Sequence, residues 1–299
     1  MQPTLEIAVR LACFAAVFAS MAAWEFFAPR RGLLVGRKPR WPNNLGILLL
    51  DALAVRLLVP TAAAGFALIA AQRGWGLFPL LGLPFWAEAV IGFVVLDFVI
   101  YAQHFVFHHV GMLWRLHRMH HADLDIDVTT GVRFHPLEIL LSMAIKIAVV
   151  VAFGIPALSV VIFEIVLNAT SLFNHSNVAL PPAIERLARW IVVTPQMHQT
   201  HHSIVRAETD SNFGFNLPWW DRLFGTYRAQ PAAGEAGVVI GLPIFRDPAE
   251  LRLDRLLTQP FRDDRAGAAA SAPSVQAAGQ PERQQTIPDE GGRQGGIDR

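Results

Sequence analysis

The eleven histidines of this 299-residue chain all lie between His104 and His202. Nine of them form three groups: His104-x-x-x-His108-His109, His117-x-x-His120-His121 and His198-x-x-His201-His202. His135 and His175 stand between the groups. Imidazole is the commonest metal ligand in proteins and suits iron, zinc and copper. Residues three and four apart share a helix face. His104 and His108 therefore point the same way, and in each His-x-x-His-His triplet the first residue can face one point with both later ones. His108 and His109 are adjacent and cannot both do so, which assigns His109 a structural place. A tetrahedral zinc needs only four ligands, whereas eight or more neutral nitrogens suit two ions of higher coordination number. The spacing predicts two metal ions bound by His104, His108, His117, His120, His121, His198, His201 and His202. His175, in Asn174-His175-Ser176-Asn177, is the natural ninth ligand. His135, before Pro136 in extended or turning backbone, is either a further ligand or the partner of a carboxylate.

Other metal chemistries fit less well. A bis-histidine haem uses one axial histidine per face and leaves most of the set unexplained. A hydrolytic zinc site lacks the His-Glu-x-x-His that would supply a base. Cys13 is the only cysteine, which excludes a disulfide framework, a thiolate zinc site and an intrinsic iron–sulfur cluster.

These residues must be held by elements of a membrane protein. Hydrophobic residues make up 53% of the chain and charged ones 16%, against about 25% charged in soluble domains. Long apolar runs fill the first 173 residues. The run at 7–28 carries Arg10 and Glu25, lacks a cleavage signature and reads as a retained transmembrane helix. A second, at 45–71, is interrupted by Asp51, Arg56 and Pro60 and should kink. A third, at 83–101, continues into His104 and His108. The apolar stretch 137–173 is too long for one crossing. It should form a hairpin of two short helices turning at Gly154-Ile155-Pro156. The expected fold is all-α and polytopic, with four to five transmembrane helices and a His-rich helical cap. Residues 1–82 supply the N-terminal spans, 83–228 the metal-binding domain, 229–262 a C-terminal cap segment and 263–299 a disordered tail rich in Ala, Gly, Gln, Ser and Pro.

The loop after the first helix holds Arg30, Arg31, Arg37, Lys38 and Arg40. Short loops rich in Lys and Arg stay in the cytoplasm. Following the spans from there brings every histidine group to the cytoplasmic face of a multi-pass cell-membrane protein. A net charge of +1 with no basic patch among aromatics gives no reason to expect nucleic acid.

With the histidine groups go Leu113-Trp114-Arg115-Leu116-His117-Arg118-Met119-His120-His121, Arg133-Phe134-His135-Pro136-Leu137-Glu138 and Thr194-Pro195-Gln196-Met197-His198-Gln199-Thr200-His201-His202-Ser203. Asp210-Ser211-Asn212-Phe213-Gly214 and Trp220-Asp221-Arg222-Leu223-Phe224-Gly225-Thr226-Tyr227 follow. Over about 83–228 this pattern resembles the fatty acid hydroxylase superfamily, which includes the sterol desaturases. The resemblance implies an integral membrane enzyme with a His-rich di-iron centre that uses O2 and electrons to hydroxylate or desaturate a lipid. It carries the ligand role onto the eight histidines above, then His175, then His135. It also implies a separate electron donor, a ferredoxin, cytochrome or reductase, since no His-Pro-Gly-Gly segment of the cytochrome b5 type is present.

Ligand histidines usually give their second N–H to a carboxylate or carbonyl. Asp97 lies two turns before His104 and is an acid within a span, which is costly and usually functional. Asn212 and Asp221 match family positions, so Asp97, Asn212 and Asp221 are the expected catalytic partners. Asp123, Asp125, Asp127, Glu138, Glu208 and Asp210 are further choices. Trp219-Trp220-Asp221 also reads as an interfacial aromatic belt. A membrane zinc hydrolase and a non-enzymatic metal carrier are the competing functions. A carrier places its ligands near the bilayer midplane, unlike a site at one face.

Overall fold

The computed structural model describes residues 3–262, and the tail expected from 263 onward lies outside them. The described residues contain helices α1 (Pro3–Phe27), α2 (Trp41–Leu58), α3 (Ala62–Arg73), α4 (Leu77–Leu81), α5 (Phe85–His109) and α6 (Gly111–His121). Then follow α7 (Pro136–Phe153), α8 (Ala157–His175), α9 (Pro182–Ala188) and α10 (Pro195–His201). Four short helices complete the order: α11 (Arg206–Thr209), α12 (Trp219–Leu223), α13 (Gly234–Gly237) and α14 (Leu253–Thr258). No strand forms among the described residues, only two isolated bridges, Pro29 with Val178 and Ser203 with Ile240.

Five stretches are long and apolar enough to cross a membrane, carried by α1, α2 with its continuation to Leu81, α5, α7 and α8. Their directions alternate, so the C-terminal ends of α1, α5 and α8 and the N-terminal ends of α2 and α7 gather at one end of the bundle. The second run does more than kink. Val59-Pro60-Thr61 breaks it, and α3 and α4 fold back as a short pair at the other end. There Ala63, Ala64 and Ala67 of α3 and Phe78 of α4 pack with Leu96, Val150 and Val160. The α7–α8 hairpin turns at Gly154, whose φ of +70° suits glycine.

Helix α5 has 25 residues and is about 37 Å long. That exceeds the ~30 Å hydrocarbon core, so its last turns, with His104 and His108, emerge toward the cap. The cap consists of α6, the loop 122–135, and α9 onward. Its floor is tied to the bundle by buried ions. Arg40 donates to both oxygens of Asp123 (2.7 and 2.8 Å) and to Asp127. Burial alone would raise the Asp123 carboxyl, but Arg40 and Arg133 reverse this and hold it well below the usual carboxylate range. Asp125 accepts the amides of Leu34, Val35 and Gly36 at 2.6–3.1 Å, fixing the 30–40 loop. The C-terminal cap segment closes over α6, with Leu256 of α14 packed on Ile47 and Met119.

Candidate metal centre

Nine histidines converge in two buried groups. His104, His108, His117, His121 and His201 form one; His120, His175, His198 and His202 form the other. Within each group one ligand atom per residue lies within 4.8 Å of all the rest. The partition differs from the expected convergence of each triplet on one point. On α6, His117 and His121 serve the first group and His120 the second. On α10 and its end, His198 and His202 serve the second and His201 the first. The i, i+4 pairs stay together because they are only about 40° apart around a helix, whereas consecutive residues are about 100° apart. Each His-x-x-His-His motif therefore bridges both groups.

The ring nitrogens are arranged for cations. His104 Nδ1 faces the Phe213 carbonyl (2.8 Å), His120 Nδ1 that of Arg133 (3.0 Å), His175 Nδ1 that of Ser171 (2.7 Å) and His201 Nδ1 that of Ser211 (2.7 Å). A carbonyl only accepts, so each of these Nδ1 atoms donates and each Nε2 carries a lone pair. His117 Nδ1 donates to Glu138 at 2.7 Å, and His108 Nδ1 faces Asp210 at 3.3 Å. The Nε2 atoms of His104, His108, His117, His121, His201 and His202 are buried without a hydrogen-bond partner among the described residues. In the second group, His175 Nε2 lies 3.0 Å from His120 Nε2 and 2.9 Å from His198 Nε2.

Protonation cannot readily relieve that crowding. Burial, then neighbouring imidazoles, hold His120, His121, His198 and His202 well below the ordinary histidine value, and burial pushes His201 down to about 3. Neutral lone pairs facing each other at 3.0 Å repel unless a cation lies between them. Two imidazoles bound at about 2.1 Å and at right angles are about 3.0 Å apart. The donor set fits metal ions in both groups.

The other expected site residues fall elsewhere. His135 joins neither group. As N-cap of α7 its Nδ1 accepts the Leu137 amide (3.2 Å), so its Nε2 donates to the Leu257 carbonyl (3.2 Å). Both nitrogens are occupied, and proline at the first helical position was the sequence signal for a cap. His109 is exposed, stacks on Phe105 with ring centroids 4.0 Å apart, and lies outside both groups. Asp97, Asn212 and Asp221 hydrogen-bond to no histidine among the described residues. Asp97 accepts from Trp220 Nε1 (2.7 Å). Asp221 accepts the amides of Phe213 and Gly214 (both 2.8 Å) and the Thr226 hydroxyl (2.7 Å). Asn212, at φ +53°, donates to the carbonyls of Met197 and Arg228. Asn212 and Asp221 brace the 211–214 loop, whose carbonyls at Ser211 and Phe213 orient His201 and His104, while Asp97 holds the 216–220 segment that follows it.

Of the remaining carboxylates, Glu138 and Asp210 reach histidines. Asp123, Asp125, Asp127 and Glu208 are buried and hold backbone or arginines. The belt reading of α12 has a physical basis. Trp220 and Phe224 pack on Phe98 of α5, with centroids 5.0 and 6.0 Å away, while Trp219 and Leu223 remain exposed.

A cavity of about 580 Å³ meets the first group. His104, His117, Glu138, Phe134 and Phe215 form its metal end, and residues of α1, α2, α5, α7 and α8 line the rest. No histidine of the second group lines it. Sequence reasoning missed this space, which arises from helices distant along the chain. Asp51, visible only as an interruption in an apolar run, is part of its wall.

Residues 89–226 match the fatty acid hydroxylase family. Among curated proteins, the ornithine lipid hydroxylase of Rhizobium tropici is 31% identical over 153 residues, 51% of this chain and 45% of that protein. The alkylglycerol monooxygenase of Xenopus tropicalis is 30% identical over 193 residues, 62% of this chain and 41% of the relative. A very-long-chain aldehyde decarbonylase of Oryza sativa subsp. indica is 26% identical over 48% of this chain and 25% of its own length. The alignments thus span less than half the length of these relatives. No solved structure matches. The matched segment holds every residue of both histidine groups, and the match together with these relatives supports the fatty acid hydroxylase superfamily.

Proposed function

We propose that this protein is a membrane lipid hydroxylase that binds two iron ions, one in each histidine group, and takes O2 and two external electrons. The observation that carries the reading is the pair of buried imidazole groups, one of which opens on a largely apolar cavity of lipid dimensions. Names among the relatives, lipid hydroxylase and monooxygenase, support hydroxylation; desaturation of the same C–H-bearing chain is the alternative outcome. In hydroxylation one oxygen atom enters the C–H bond and the other leaves as water, with two protons consumed.

The iron pair would supply oxygen activation and attack on an unactivated C–H bond. The chain's own residues do the rest. The Phe213, Ser211, Arg133 and Ser171 carbonyls, with Glu138 and Asp210, orient six of the nine donor rings: His104, His201, His120, His175, His117 and His108. Phe134, stacked 4.4 Å from His120, and Phe213 and Phe215 keep water from the nitrogens. Leu48, Val55, Ile100, Ile139 and Leu167 give the cavity an apolar wall for a lipid chain.

The metal end is assigned to the cytoplasmic face. The loop of Arg30, Arg31, Arg37, Lys38 and Arg40 lies there, and the short loop 72–76 at the other end carries Arg73 alone. A separate reductase, ferredoxin or cytochrome delivers electrons from that side. The test is metal analysis of protein purified from iron-supplemented cells, with mass spectrometry of lipids formed under 18O2. About two irons per chain and a lipid gaining one labelled oxygen are expected. Retained zinc with ester cleavage and no label would refute the reading.

A further inference from the structure

The cavity wall next to the first histidine group is unlike the rest of the cavity. Asp51 on α2 is 6% exposed and Glu138 on α7 is 4% exposed. Asp51 Oδ1, Glu138 Oε2 and Gln103 Oε1 each lack a hydrogen-bond partner among the described residues. All three side chains line the cavity, and the Asp51 and Glu138 carboxyls are close enough to interact electrostatically. The three atoms are acceptors. An unpaired buried polar group costs about 1–3 kcal/mol, more if charged, and an acid inside a span usually marks a site. The basic residues of the same cavity are engaged elsewhere. Arg10 pairs with Glu6 (3.0 Å) and Glu164 (2.8 Å), and Arg56 donates to the Pro60 carbonyl (3.2 Å). Beside the first histidine group the cavity therefore offers free acceptors, while Arg56, its one arginine without a carboxylate partner among the described residues, lies further along α2: the metal end is built for a ligand that donates hydrogen bonds.

We propose that Asp51, with Gln103 and Glu138, binds a lipid headgroup bearing O–H or N–H donors, and that this headgroup lies beside the first histidine group. The inference rests on the hydroxylase reading for its chemistry and adds the substrate class and the position oxidised. Gln103 adjoins His104, and Glu138 holds His117, so the donor-bearing end of the lipid sits at the metal end. Its chain runs away between α1 and α2, along Leu48, Val55 and Val59. The carbon presented to the histidines is then within a few bonds of the headgroup, not at the tail end. Asp51 is a specificity-determining residue.

The experiment uses the full chain, iron-loaded, in phosphatidylcholine nanodiscs, with three probes. These are 1-O-hexadecylglycerol, its 2,3-di-O-methyl ether and hexadecylamine. Competition binding should show the wild type preferring the glycerol ether, the amine or both over the methylated ether by about tenfold or more, roughly one good hydrogen bond. Asp51→Leu should bring all three within about twofold while iron content and thermal transition stay at wild-type values. Asp51→Asn, which keeps an acceptor oxygen but no charge, should retain the glycerol preference and lose the amine preference. Equal wild-type affinities, an unchanged ranking in Asp51→Leu, or 18O placed at the far end of the chain would overturn the proposal. Discrimination without oxygen insertion would sink the hydroxylase reading alone; oxygen insertion without discrimination would sink the headgroup site alone.

Discussion

The two histidine groups share α6 and α10, yet they are supported differently. The first has five rings, borders the cavity and leans on carboxylates: Glu138 on His117 and Asp210 on His108. The second has four rings, no cavity wall and no carboxylate contact. Its supports are the carbonyls of Arg133 and Ser171, and the Nδ1 atoms of His198 and His202 have no partner among the described residues. Carboxylate support raises ligand basicity. The cavity-facing group is thus the more electron-rich and has one ring more, while the inner group depends on the backbone around it.

Removing one ring from each group gives the largest expected contrast. His198→Ala leaves three ligands in the inner group; His121→Ala leaves four in the outer one. The first variant should lose about one iron per chain and lose activity to background. The second should retain most of its iron. Metal analysis of matched preparations checks this, and equal iron loss in both would erase the distinction.

The inner group's dependence on backbone can be tested at a distance. Arg133 donates to the Met119 carbonyl (3.0 Å) and pairs with Asp123 at 3.7 Å, so the carbonyl it offers His120 is held by the buried Arg40–Asp123–Arg133 ions. Asp123→Asn strips a buried pair of one partner, which costs about 3–5 kcal/mol. The pH sign follows from the depressed folded value. Asp123's contribution is complete above its ordinary 3.8 and is lost only as pH falls further, through the lower folded value. Unfolding measured against pH should show a wild-type slope below pH 3.8 that Asp123→Asn lacks. An unchanged midpoint at pH 7 would remove this network from the account.

Much of this was legible in the sequence because it is local. Helical spacing selected eight of the nine converging histidines, the place of His175 at the end of the hairpin added the ninth, and Gly154-Ile155-Pro156 marked the hairpin; His135, also in the expected set, joins neither group. The division of each triplet between two groups follows from the 100° step per residue, but it appears only once α6 and α10 are set against α5 and α8. Asp97, Asn212 and Asp221 stand out in the sequence, but which groups they hold does not, since a polar side chain that braces a loop looks the same in sequence as one that touches a ligand. Their partners, Trp220, Met197 and Phe213, are fixed by tertiary packing. Asp51 carried the opposite signal: a charge in an apolar run registers as an interruption until a cavity gives it a face.

On the outer side, Glu138→Ala should weaken iron binding there by about 10–100-fold, the usual effect of deleting a ligand's carboxylate support. Glu138 lines the cavity and is not part of the ion network beneath His120, so the thermal transition of the metal-free protein should move little. Chelator titration would show one weakened and one unchanged iron. Two weakened irons would mean that the groups are coupled more tightly than their separate supports suggest.

The smallest effect should come from Gly131, in the turn against α8. A Cβ there would lie 2.6 Å from the Ser171 carbonyl oxygen and 3.4 Å from His175 Nδ1. That oxygen accepts both contacts that matter to the inner group at this point: it is the hydrogen-bond partner of His175, and it is what the turn rests on. Gly131→Ala must therefore push the 130–132 turn off α8 or tilt the carbonyl, and such overpacking costs about 1–3 kcal/mol. At about 2–4 °C per kcal/mol for a domain of this size, the transition should fall by several degrees. Because His175 is displaced and His117 is not, iron loss should be confined to the inner group, opposite to Glu138→Ala. A Gly131→Ala protein that melts lower but keeps both irons would show that the Ser171 carbonyl is dispensable for holding His175 in the inner group.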